Sequence, residues 1–88
     1  MIKIIRSSKE SVNIDYNGRE ARFLGDIVHG GFRAFANTMK WVLPHSKQEP
    51  ATETEKYEVM MAVTLHFKGV KDRIFFVDDK GDELKFSK

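Results

Sequence analysis

The 88-residue sequence predicts a two-layer α+β domain: an antiparallel sheet of five or six strands with one long helix packed on one face. Three observations carry that expectation. Asn17-Gly18, the preferred pair for a two-residue type I′ turn, sits between two segments that alternate apolar and polar residues. Only one stretch, "ATETEKYEVMMAVTLHFKG", has the length and the end signals of a helix. The rest is short runs of β-branched and aromatic residues broken by glycine, and a single helix covers only one face of a sheet built from them. With no internal repeat, linker or low-complexity segment, residues 1–88 read as one domain.

Residues 2–7 of "MIKIIRSS" read as the first strand, and "SKES" as a turn. In "SVNIDYNGREARFLG" the two-residue turn fixes the register: Tyr16 faces Arg19, Ile14 faces Ala21 and Val12 faces Phe23. Val12, Ile14, Ala21 and Phe23 then share the core face, and Asn13, Asp15, Glu20 and Arg22 the wet one. "GDIVHGG", with three glycines, breaks the pattern. "FRAFANTMKW" follows as a strand, with Phe32, Ala34 and Ala36 on one side and Arg33, Phe35 and Asn37 on the other. A helix is predicted from about Glu53 to Lys68. Thr52 and Glu55 have capping-box spacing, Glu53 and Glu55 suit the positive end of the helix dipole, and Gly69 stands where a left-handed residue ends a helix. Its packing side chains should be Tyr57, Met60, Met61 and Phe67. "DRIFFVDDKGDELKF" closes the chain as two short strands around a turn in "DDKGD", with Gly81 as the left-handed residue.

A composition of 41% hydrophobic and 32% charged residues is that of an ordinary globular protein. Without cysteine, disulfides and thiolate metal sites are excluded. No run reaches the roughly 20 apolar residues that span a bilayer, and the first ten residues lack a signal-peptide core, so a cytoplasmic protein with no membrane partner is the expectation. The net charge of +2 is unevenly spread. Residues 1–48 hold eight Lys/Arg against four Asp/Glu, and residues 49–83 hold five against nine. The plain reading is that both parts are solvated faces of a folded domain; the sharper one is a surface with one acidic patch that would meet a basic partner.

Catalytic and metal chemistry find no support in the sequence. His29, His45 and His66 have neither an i,i+4 partner nor a carboxylate at metal-ligand spacing. "DDKGDE" does not match the twelve-residue calcium loop, Asp15 and Glu20 face each other without a cleft, and "HGG" has no serine elbow beside it. No enzyme activity, cofactor or metal is expected. A small single-stranded nucleic-acid-binding domain is the alternative. Arg19, Arg22, Arg33 and Lys40 would form its basic stripe, and Phe35 or Trp41 its stacking surface. Trp41, the only tryptophan, stands at the edge of a proline-bounded loop. It either closes the end of the core between the Phe32 strand and the helix or is kept for a partner.

Several short motifs resemble the small immunity proteins of bacterial polymorphic-toxin and contact-dependent growth-inhibition systems. They are "NGRE" at Asn17–Glu20, "GGFRAF" at Gly30–Phe35, Trp41 with Pro44, "PATETEK" at Pro50–Lys56 and "IFF" at Ile74–Phe76. The family pattern puts an acidic residue directly after the tryptophan, and here Val42 and Leu43 follow. The resemblance implies a non-enzymatic antitoxin that binds one toxin domain, commonly a nuclease with a basic phosphate-holding surface. Glu49, Glu53, Glu55, Asp78, Asp79, Asp82 and Glu83, with Trp41, are the contact residues expected for it.

Overall fold

In the computed structural model, which describes residues 1–86, turn chemistry builds the first half of the sheet. Strands β1 (Ile2–Ser7), β2 (Ser11–Tyr16) and β3 (Arg19–Val28) form a meander. Asn17 and Gly18 have φ of 51° and 92°, as a type I′ turn requires. The register is the one the turn predicts, with Val12 on Phe23, Ile14 on Ala21 and Tyr16 on Arg19. Val12, Ile14, Ala21 and Phe23 are all buried.

β3 is longer than the sequence predicts. It runs through "GDIV" to Val28, and only His29-Gly30 turns the chain. Two strands then lie along one edge of β3: β4 (Gly31–Phe35) against its end and β5 (Lys40–Val42) against its start. Between the Gly25–Ala34 and Arg22–Lys40 pairs β3 advances three residues and its partner six. The extra three are the 3-10 turn Ala36–Thr38, held by the Thr38 hydroxyl, which donates to the Phe35 carbonyl at 2.6 Å. β6 (Gln48–Pro50) pairs outside β5. Helix α1 (Glu53–His66) follows, and β7 (Arg73–Val77) returns to pair with β4.

The fold is α+β, with one helix of 14 residues and a mostly antiparallel sheet. The sheet has seven strands rather than five or six, and the β4–β7 pairing is parallel. A parallel neighbour needs a crossover connection, and α1 supplies it. The expected closing hairpin is reduced to a single antiparallel bridge, Val77 to Glu83, around a turn with Gly81 at φ 88°.

Helix α1 begins with the predicted capping box. The Thr52 hydroxyl accepts from the Glu55 N–H at 3.1 Å, and the Glu55 carboxylate accepts from the Thr52 N–H at 2.9 Å. Its buried stripe is Val59, Met60 and Val63, with Phe67 packed behind them. Tyr57 was expected there and is instead 52% exposed. At about 100° per residue it points about 120° away from Val63, off the stripe, whereas Lys56 falls about 20° from Val63. One hydrophobic cluster joins both sheet halves to the helix, and in it Phe23 meets Phe76 at 4.9 Å between ring centroids. Expected on the wet face, Asn13 is only 7% exposed. It is satisfied there by donating to the Glu20 carboxylate of the neighbouring strand. The single-domain expectation over residues 1–88 includes residues 87 and 88, which lie outside the described ones.

Candidate functional site

Of the two roles the sequence left open for Trp41, the structure places its ring in the core, 2% exposed. As a partner-binding residue it is therefore corrected: a ring with no free face offers a partner nothing. β5 carries Trp41 opposite Ala21 on one side and opposite Glu49 of β6 on the other. Arg19, the first residue after the hairpin turn, lays its guanidinium 3.7 Å from the centre of the indole. The same guanidinium meets the Glu55 carboxylate at 3.5 Å. Glu55 is held below the ordinary carboxylate range, first by the Thr52 backbone N–H and then by the Trp41 indole beside it. The indole N–H is buried and makes no hydrogen bond of good geometry, so its help to Glu55 is the pull of a nearby donor rather than a formed bond. Arg19, Trp41, Glu55 and Thr52 thus fasten the first hairpin to the start of the helix.

A different group forms a surface site. The start of α1 and the turn after β7 enclose a hollow of about 340 Å³. Ala36, Met60 and Leu84 make its apolar floor, Tyr57 and Asn37 stand in its walls, and Glu53, Lys56, Asp78 and Asp79 bring charge to it. Asp78 is set by the turn it organises: one of its oxygens accepts from the N–H groups of Lys80 and Asp82, each at 2.9 Å. Asp78 and Asp79 also line a second hollow on the other side of that turn, with Arg33, Phe35, Thr38 and Lys80. The turn is therefore a ridge between two depressions, and Asn37 borders both.

Of the expected contact residues, Glu53, Asp78 and Asp79 come together in the hollow. The others do not. Glu49 is exposed on β6, and Glu55 is committed to the helix cap and Arg19. Asp82 gives its N–H to Asp78, and Glu83 pairs with Arg73 at 3.2 Å. Tyr57, Lys56, Asn37 and Leu84 were missed as site residues. For Tyr57 the signal was available in its angle from the buried stripe. For Asn37 and Leu84 the placement depends on how the 3-10 turn and the last bridge fall, which local sequence does not set.

Of the basic stripe Arg19, Arg22, Arg33 and Lys40, two residues are engaged in ion pairs, Arg19 and Arg33. Arg33 faces Asp26 across β3 and β4 and binds it with two hydrogen bonds, 2.9 and 2.7 Å. This hydrogen bonding, more than the attraction of the two charges, lowers the Asp26 pKa and raises that of Arg33. Among the described residues no group of three or more His, Asp or Glu side chains is placed to hold a metal ion. No described helix is long and apolar enough to cross a membrane. No protein-family model, curated protein or solved structure matches the chain.

Proposed function

We propose that the protein acts by stoichiometric binding, as an immunity-type inhibitor of a toxin domain in the cytoplasm, with a basic nuclease as the partner its charge suits best. The observation that carries this reading is the hollow itself. Acidic residues from two distant parts of the chain, Glu53 and the pair Asp78-Asp79, rim one apolar floor. An apolar centre with a charged rim is the composition of a protein-binding patch, and the rim's sign favours a phosphate-binding partner whose own surface is basic. The short motifs that resemble those of small immunity proteins lean the same way.

The nucleic-acid alternative is weaker. Of its two candidate stacking residues Trp41 is buried and Phe35 half-buried, and two of the four residues of its basic stripe, Arg19 and Arg33, are already in ion pairs. The test pairs growth rescue with binding. The protein is co-expressed with a candidate toxin domain taken from the neighbouring gene, and the same preparation is titrated with RNA and single-stranded DNA. Rescue with one-to-one co-purification is the expected result. Submicromolar nucleic-acid binding without rescue would replace this reading with the alternative.

A further inference from the structure

The hollow has a property more specific than acidity. One long cation already belongs to its lining. Lys56 falls on the buried stripe of α1, so its side chain is only 20% exposed, and its ammonium reaches the rim to meet Glu53 at 3.0 Å. The space thus accommodates an apolar stem with a positive head. Once Lys56 and Glu53 are matched, Asp78 and Asp79 remain as the uncompensated charges of the lining. Asp78 is pre-positioned through one oxygen by the Lys80 and Asp82 N–H groups. Its other oxygen and both oxygens of Asp79 accept no hydrogen bond from the described residues. Beside them the half-exposed ring of Tyr57 offers a wall.

We propose that this hollow is a receptor for an arginine side chain presented by the protein partner, a refinement that rests on the binding reading above. Arginine fits the three features together. Its methylene stem can lie on Met60 and Leu84, which line the hollow together with Lys56. Its planar fork can bridge two neighbouring carboxylates, which a lysine ammonium, a point charge, does less well. Its guanidinium can also stack on the Tyr57 ring.

The test needs no identified toxin. The folded protein, with its backbone amides labelled for NMR, is titrated with N-acetyl-arginine amide, N-acetyl-lysine amide and N-acetyl-citrulline amide. Citrulline keeps the shape and loses the charge. Saturable shifts at Asn37, Tyr57, Asp78 and Asp79 are expected with arginine, about threefold weaker binding with lysine, and none with citrulline. Asp78→Asn keeps an oxygen to accept the two turn N–H groups and removes the charge, so the spectrum should stay folded while affinity falls about tenfold. Tyr57→Ala should weaken arginine more than lysine. Equal binding of citrulline, shifts centred outside the hollow, or full affinity in Asp78→Asn would overturn the proposal. Should arginine fail to bind while the toxin partner still co-purifies and is sensitive to Asp79→Lys, the arginine receptor falls and the inhibitor reading stands. Should arginine bind as expected and no toxin be neutralised, the receptor stands and the inhibitor reading falls.

Discussion

At the scale of single residues, Trp41 and Glu55 hold the same corner of the molecule by different physics. Trp41 contributes volume. With its ring 2% exposed, Trp41→Ala removes a large buried side chain and should cost about 3–5 kcal/mol, a large share of what a domain of this size has. Arg19, whose side chain is half exposed, covers that ring, and Arg19→Ala should cost only about 0.5–1 kcal/mol. Urea titrations followed by circular dichroism separate the two. Equal losses would mean that the ring depends on its arginine cover rather than on its burial. Glu55 contributes charge. Its folded pKa lies below the ordinary 4.5, so the carboxylate is favoured in the folded state. That contribution is complete above about pH 4.5 and is lost as pH falls through the lowered folded value. Glu55→Gln removes it, so the melting temperature of the variant should fall less steeply than that of the wild type below pH 4.5. Parallel curves for the two proteins would show that the cap works without ionisation.

The elements differ in how far local sequence determines them. The β2–β3 hairpin was legible to the residue because Asn17-Gly18 admits one turn type, and the turn sets every pair beyond it. The start of α1 was legible because its capping box is spelled out over four residues. The β4–β7 pairing was not. Its partners are brought together only after the helix has crossed over, and nothing in "FRAF" or "RIFF" states which edge the second will choose. The long run of β3 through Gly25 was hidden for a related reason. A glycine reads as a break, but here it is required by close backbone approach: a Cβ on Gly25 would stand 2.0 Å from the Arg33 carbonyl oxygen. The same physics marks the first pair of the parallel ladder. Gly31 has φ 145°, and a Cβ there would stand 1.8 Å from the carbonyl oxygen of Arg73, its partner in β7. Gly31→Ala should therefore push β7 from β4 and cost at least about 1–3 kcal/mol. The neighbouring Gly30, at φ 91° with nothing within 4 Å of a Cβ, is the control. Gly30→Ala carries only the backbone penalty of about 1–2 kcal/mol. Arg73 donates its N–H to the Gly30 carbonyl, so the alternate residues Phe75 and Val77 turn theirs toward β4, and their amide exchange should accelerate beyond the general loss of stability in the first variant and only in step with it in the second. The opposite order would place the critical contact in the turn rather than in the ladder.

For the molecule as a whole, the relevant fact is where charge sits rather than how much there is. The net charge is +2, yet the hollow is acidic because the fold brings Glu53 to Asp78 and Asp79. Sequence placed the acidic residues in the second half of the chain but left open whether the helix start and the last turn meet. They meet because the parallel return of β7 ends its strand beside the start of the helix. Screening at physiological salt extends over about 8 Å, so a basic partner responds to this local group and not to the protein's total charge. Position and total can be separated with two variants of identical charge change. Asp79→Lys acts in the hollow, whereas Glu10→Lys acts on the exposed turn between β1 and β2. Asp79 is the better choice in the hollow because its side chain, unlike that of Asp78, holds no turn N–H, so its reversal leaves the fold intact. If the proposed toxin domain is the partner, Asp79→Lys should slow its association in stopped-flow about tenfold at low salt and flatten the dependence on ionic strength, with dissociation changed much less. Glu10→Lys should slow it by less than about twofold. If both variants slow association alike, the encounter is governed by total charge, and the hollow is not the contact surface.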